Sequence, residues 1–257
     1  MSEPGSRLDV TLVAGGDFHD VDFARLELLK LLGEHEEIRV RVQPDYEDHE
    51  AIAASEFLVS YTCNVRPSEP AQQAIRSWVE AGGRWVALHG TNAALDVGMP
   101  NGVEAPRCQP LWSDTLGSQF VAHPPIQPYR VEVSDDSHWL VAGIEPFETD
   151  DELYLSDYHG RESFTELLHT TWSGDAKGFA EADWTVETRG TDHHLVMYLR
   201  PLGDGAVLYN TLGHCRGHYD MAPMVPYYPQ IERCSWEQPA YYEILRRSLR
   251  WARGETS

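Results

Sequence analysis

The sequence predicts an α/β protein built on a doubly wound, mostly parallel sheet, and three observations carry that expectation. Leu8-Asp9-Val10-Thr11-Leu12-Val13-Ala14 is an apolar run ended by Gly15-Gly16, the pattern of a strand buried on both faces. Strand-like and helix-like segments then alternate as far as Leu88, the β-α-β-α order in which helices cross over between parallel strands. A late apolar run, Ala206-Val207-Leu208-Tyr209, continues into Asn210-Thr211-Leu212-Gly213-His214, which puts a histidine just past a strand end.

Each element follows from local pattern. Asp20 opens an amphipathic helix with Phe23, Leu26, Leu29 and Leu32 as its apolar face, and Gly33 closes it. Residues 38–42 alternate as a second strand should, and residues 57–61 read as a third. Residues 70–81 form a helix with Ala74, Ile75, Trp78 and Val79 inward, stopped by Gly82-Gly83, and residues 85–88 are the fourth strand. Residues 98–110, rich in Gly, Pro and polar side chains, read as a loop. Residues 129–133 and parts of 184–188 alternate, which suggests antiparallel strands added to the core sheet rather than a second domain. Residues 195–199 and 206–209 flank Gly203-Asp204-Gly205, a hairpin signal. Residues 239–253 make a closing helix with Tyr242, Leu245, Leu249 and Ala252 inward, so residues 1–257 read as one domain.

Composition narrows the function. The apolar fraction of 42% can fill a substantial core. The 41 acidic against 20 basic residues give a formal charge of −21, which repels nucleic acid and anionic membrane over most of the surface. No run is long and apolar enough for a bilayer span or a signal core, so a cytoplasmic protein is expected. Cys63, Cys108, Cys215 and Cys234 lack C-x-x-C spacing and read as reduced thiols. Self-association into a homo-oligomer stays open.

The chemistry points to histidine. Ligands of open α/β sheets bind beyond the carboxyl ends of the strands, and His19, His89 and His214 each follow a strand. The third shares their edge if its strand runs parallel to theirs. His123, in Phe120-Val121-Ala122-His123-Pro124, and His159 are further candidates, and His218 shares a short loop with His214. His35, His49, His169, His193 and His194 read as surface or packing residues, and His138 as structural. In the acidic triplet Asp150-Asp151-Glu152, Leu153-Tyr154 anchors the chain, so one carboxylate can turn inward to orient an imidazole, complete a metal shell or act as a base. There is no H-E-x-x-H and no cysteine pair at zinc spacing. Converging histidines with a carboxylate would still suit a divalent metal such as zinc, and His89, His214 and His218 are the candidate ligands. Neither G-x-G-x-x-G nor a P-loop occurs, so no nucleotide cofactor is expected. The turn Leu88-His89-Gly90-Thr91-Asn92 has the position of a nucleophile elbow, with histidine at its tip.

Six pieces in sequence carry a resemblance: Gly15-Gly16-Asp17-Phe18-His19-Asp20, the stretch from Ala81-Gly82-Gly83 to Leu88-His89-Gly90, Leu116 to Pro124, Asp151-Glu152-Leu153-Tyr154, Gly205 to His214, and Leu249-Arg250-Trp251-Ala252. In that order the chain resembles the ThuA-like, trehalose-utilisation family of the class I glutamine amidotransferase-like superfamily. The resemblance implies a flavodoxin-like sheet, a pocket lined by strand-end histidines, and a role in carbohydrate catabolism, on disaccharides, glycosides or their 3-keto derivatives. On that reading His89, His214 and Glu152 are catalytic, while His19, Asn92, His123, Tyr154 and His159 contact a small carbohydrate. Trp112, Tyr154 and Tyr158 are candidates to stack on it. True amidotransferases of the superfamily carry cysteine at the elbow, where this chain has His89. Glutamine hydrolysis is therefore not expected, and Cys215 is its sole candidate by proximity. A non-catalytic sugar- or partner-binding module is the other alternative. Two departures, Leu195-Val196-Met197-Tyr198 for a Pro-Val-x-Trp strand and Ala206 for arginine, bear on the substrate more than on the fold.

Overall fold

A computed structural model describes residues 7–222 and 224–256. The first half alternates β1 (Leu8–Gly16), α1 (Val21–Leu32), β2 (Ile38–Gln43), α2 (His49–Ala53), β3 (Phe57–Cys63), α3 (Glu69–Glu80) and β4 (Arg84–Leu88). Next come β5 (Asp96–Met99), β6 (Gly102–Glu104), α4 (Pro110–Leu116), β7 (Ser118–Ala122), β8 (Gln127–Val133), β9 (Phe147–Asp151), β10 (Leu155–Tyr158) and β11 (Thr165–Thr171). After the short β12 (Gly174–Asp175), β13 (Asp183–Trp184) and α5 (Val186–Arg189), β14 (His193–Leu202) and β15 (Gly205–Asn210) form a hairpin, and α6 (Pro239–Ala252) closes the chain.

The central sheet runs β2-β1-β3-β4-β15-β14-β11-β8-β9. Its first five strands are parallel, in the 2-1-3-4-5 order of a flavodoxin-like sheet, and the rest pair antiparallel. The hairpin joins the two parts, because β14 carries the chain back so that β15 enters the parallel set beside β4. Leu88 lies level with Tyr61 of β3 and Asn210 of β15. His89 and Thr211 are therefore the first residues past a common edge.

Both faces of the parallel strands are covered, which is why they read as apolar runs. Val86 and Leu208 pack with Leu28 and Leu32 of α1 and Leu245 and Leu249 of α6. Trp85, Ala87 and Val207 point the other way, to Ile75 and Val79 of α3. The helix starts are set by side chains: Asp20 accepts the Phe23 N–H at 3.1 Å, and Ser68 accepts that of Ala71 at 3.4 Å. No helix among the described residues is long and apolar enough to cross a membrane.

Three local expectations are corrected. The buried face of α1 is Ala24, Leu28, Leu31 and Leu32, and Leu26 is half exposed. Residues 98–110 are not all loop, since β5 and β6 pair as a ribbon there and α4 begins at Pro110. In the stretch 184–188, only Trp184 is strand, and Val186 onward is helical, opened by Thr185.

Candidate functional site

Backbone geometry delivers three imidazoles to the carboxyl edge of the sheet. His19 follows β1, and its Nδ1–H donates to the Asp17 carbonyl at 3.1 Å. His89 follows β4 directly with φ of +47°, a left-handed conformation costly for a residue with a Cβ. The Tyr209 hydroxyl donates to its carbonyl, and its own Nδ1–H donates to the Thr211 carbonyl at 2.7 Å. His214 is preceded by Gly213 at φ +114°, where a Cβ would sit 2.3 Å from the Tyr241 hydroxyl, so glycine is required there.

Glu152 reaches the same point from the far end of the sheet. Its neighbour Asp151, 1% exposed, accepts backbone N–H bonds from Glu152 (2.8 Å), Gly213 (2.9 Å), His214 (3.0 Å) and Ser235 (3.2 Å). That carboxylate stitches the end of β9 to the loop after β15. The Glu152 Oε1 then lies 3.1 Å from His214 Nδ1, 3.3 Å from an Arg216 nitrogen and 3.6 Å from His123 Nε2. Its Oε2 lies 3.5 Å from His89 Nε2 and 3.6 Å from His19 Nε2.

The tautomers follow from the fixed acceptors. A carbonyl can only accept, so the Nδ1 atoms of His19 and His89 both carry hydrogen, which leaves Nε2 as the atom of each ring that a ligand would meet. Those two Nε2 atoms face each other at 2.8 Å. His214 is held the opposite way round: its Nε2–H donates to Glu232 at 2.8 Å, and its buried Nδ1 has no hydrogen-bond partner. Burial drives the His19 imidazole down to about 3, with His89 and His214 adding to the effect, so it is neutral at ordinary pH. Burial acts the same way on His214, but Glu152 and Glu232 outweigh it and raise that imidazole to about 9. Burial opposes ionisation of Glu152, yet His123, His214 and His19 together hold its carboxyl well below the usual range.

This donor set could hold a divalent cation. The Nε2 atoms of His19 and His89, Nδ1 of His214 and a Glu152 oxygen all lie within 4.8 Å of one another. Ligands 2.0–2.2 Å from a tetrahedral zinc are separated by roughly 3.3–3.6 Å, and the close pairs here, taken over both Glu152 oxygens, span 2.8 to 3.6 Å. The other nitrogen of each ring is tied to a carbonyl or a carboxylate, the outer arrangement typical of metal-bound histidine. His214 Nδ1 lies 3.1 Å from Glu152 Oε1 without a well-aligned hydrogen bond, and a cation bound there would take the place of the ring's second proton.

A cavity of about 750 Å³ opens over this cluster, lined by His19, Glu152, His123, Tyr154 and Arg216 among others. The Tyr154 hydroxyl is 3.3 Å from His89 Nε2. Other candidates lie elsewhere. The Asn92 amide donates to the Ser118 hydroxyl at 2.8 Å within the core. His159 packs near the end of α4, its N–H donating to the Gly117 carbonyl at 2.8 Å and its carbonyl accepting from Arg200. His218 is not one of the four donors: its Nδ1–H donates to the Tyr228 carbonyl at 2.7 Å, and its ring stacks on Tyr227. His19 and Glu152 stand in the set where His218 was expected. Trp112 and Tyr158 are tied into the core through the Thr91 carbonyl and the Leu195 N–H. Cys215 is fully buried beside the Tyr61 hydroxyl, and burial pushes its thiol up to about 12, which suits no thiolate nucleophile. Arg216 and Glu232 had no sequence signal, because their roles depend on contacts across loops, whereas Asp151 belongs to the acidic triplet from which one inward carboxylate is expected.

Fold and site together define a flavodoxin-like α/β protein with a histidine–carboxylate centre at the carboxyl edge of its sheet. Residues 9–225 match the model of the ThuA family, described as trehalose utilisation, and the chain belongs to that family. A role related to carbohydrate follows at the family level. A ThuA-like protein from Bacteroides uniformis superposes with a TM-score of 0.65 at 15% identity, covering 98% of this chain and 94% of that one. A second, from Parabacteroides merdae, gives 0.60 at 15% identity, over 97% and 91%. A β-galactosidase from Rahnella sp. R3 contains a similar fold, with a TM-score of 0.54 at 12% identity over 96% of this chain and 31% of that one. At such identities the likeness concerns the fold alone. No curated protein matches the sequence.

Proposed function

We propose that the chain is an enzyme of carbohydrate catabolism, acting on a glycoside or disaccharide in its 3-keto form at the Glu152 end of the cavity. One observation carries the reading. Glu152 is shared by three buried imidazoles and also lines the cavity, so it faces a candidate cation shell and a ligand at once. A divalent ion such as zinc, held by His19, His89, His214 and Glu152, would supply Lewis-acid polarisation of a substrate carbonyl. The chain's own groups account for proton movement. His123 and His214 keep Glu152 ionised, so the oxygen not engaged by the cation would accept the proton from the carbon next to a carbonyl, its low basicity offset by the acidity that polarisation gives that carbon. His123 has its Nδ1–H fixed on the Pro124 carbonyl at 2.7 Å, so Nε2 is free to exchange a proton, 3.6 Å from Glu152 and at the cavity wall. Hydrolytic and isomerising outcomes both begin with that proton abstraction. No nucleotide is required.

The test is turnover of methyl 3-keto-glucoside in deuterated water by zinc-loaded protein. Deuterium should enter the carbon next to the ketone, and Glu152→Gln should slow that exchange by at least about 10²-fold, the usual worth of a general base. Turnover without exchange, or full exchange in Glu152→Gln, would remove this reading.

A further inference from the structure

The cavity lining is of two kinds, polar and apolar. Its polar lining comes from the site, from Asp150 beside it and from the segment 228–238. The remaining wall includes Val97 of β5, Val103 of β6, Phe120, Phe179, Met221 and Met224. Phe120 and Phe179 meet edge to face at 5.7 Å, and Phe179 meets the His123 ring at 4.8 Å, so this part of the apolar lining adjoins the site. Backbone bonds fix the ribbon to it: the Val103 N–H donates to the Gly178 carbonyl at 2.8 Å, and the Ala180 N–H to the Val103 carbonyl at 2.9 Å. Gly102, at φ +106°, allows this approach, since a Cβ would sit 2.4 Å from the Gly178 oxygen.

Such a wall discriminates between occupants. A second sugar presents hydroxyls in every direction, and each one pressed on valine, methionine or phenylalanine gives up a bond to water without replacement. An aromatic or aliphatic group loses nothing there and gains from leaving water. The volume of about 750 Å³ is within the range that takes a sugar with a sizeable substituent. The two methionines add an unbranched, adaptable surface suited to substituents of varied shape.

We infer that the substrate is a glycoside with an aromatic or aliphatic leaving group, seated on the apolar wall while the sugar meets Glu152. This deepens the reading of the site given above and rests on it for the sugar half.

Calorimetry on zinc-loaded protein with phenyl 3-keto-glucoside, methyl 3-keto-glucoside and 3-keto-trehalose tests it. The phenyl compound should bind at least about tenfold tighter than the methyl compound, with a negative heat-capacity change, and 3-keto-trehalose no tighter than the methyl compound. Met224→Ser, at a position 42% exposed and therefore safe for folding, should reduce the phenyl-to-methyl ratio at least about threefold, and Val97→Ser likewise. Equal or tighter binding of 3-keto-trehalose, an unchanged ratio in both variants, or binding of none of the three would overturn the inference. Phenyl preference without turnover would keep the wall assignment and remove the proposed reaction. Turnover without preference would do the reverse.

Discussion

Asp151 accepts the backbone N–H of His214 at 3.0 Å, while the next residue, Glu152, meets the same histidine's Nδ1 at 3.1 Å. Two adjacent carboxylates thus grip one histidine by its main chain and by its ring. The first has a structural task and the second faces the cavity, which separates their expected phenotypes.

Asp151→Ala leaves four buried N–H groups without an acceptor. At about 1–3 kcal/mol for each stranded donor, less what the loops regain by relaxing, the loss should reach about 3–5 kcal/mol. At about 2–4 °C per kcal/mol, Tm should fall by roughly 10 °C. Asp151→Asn keeps one acceptor oxygen and should lose about half as much. A melting curve for Asp151→Ala that overlays the parent would refute the stitching role.

Zinc added back to chelator-treated protein should raise Tm, by about 2.7 kcal/mol of stabilisation when free zinc is 100-fold above its Kd. His19→Ala and His89→Ala should each abolish the rise, and elemental analysis should fall from about one ion per chain to a small fraction. His218→Ala should keep both, because that ring is tied to Tyr228. Equal zinc responses in all four proteins would remove the centre.

His194 provides a pH signature away from the site. Burial holds its imidazole below the usual range, and its Nε2–H donates to the Trp172 carbonyl at 2.9 Å. The folded state therefore favours the neutral ring. Its contribution is complete above the unfolded pKa near 6.5 and is lost as pH falls below that value, with a slope of at most about 1.4 kcal/mol per pH unit for one proton. Urea midpoints at pH 7.5 and pH 5.0 should differ less in His194→Gln than in the parent. The same difference in both would place the acid sensitivity elsewhere.

The parallel half of the fold was legible because both faces of β1, β3 and β4 are covered, leaving unbroken apolar runs between capped helices. The facing of α1 was not. Phe23, Leu26, Leu29 and Leu32 step by three residues, which drifts about 60° per step around a 3.6-residue helix, so the row leaves the core at Leu26. In the antiparallel half, β9 and β11 mix charged with apolar residues at bulged or edge positions, and β11 gave no pattern. Strand ends pointed to His19, His89 and His214, whereas Arg216 and Glu232 enter through a cross-loop bridge between them that no local spacing records. His218 misled for the same reason, since nearness in sequence to His214 says nothing of where the loop turns.

The left-handed backbone at His89 is imposed by the scaffold, through the hydroxyl of Tyr209 on its carbonyl and the lack of room for a Cβ at Gly90. Since the bend belongs to the framework, the residue at its tip can be exchanged while the surrounding strands stay put.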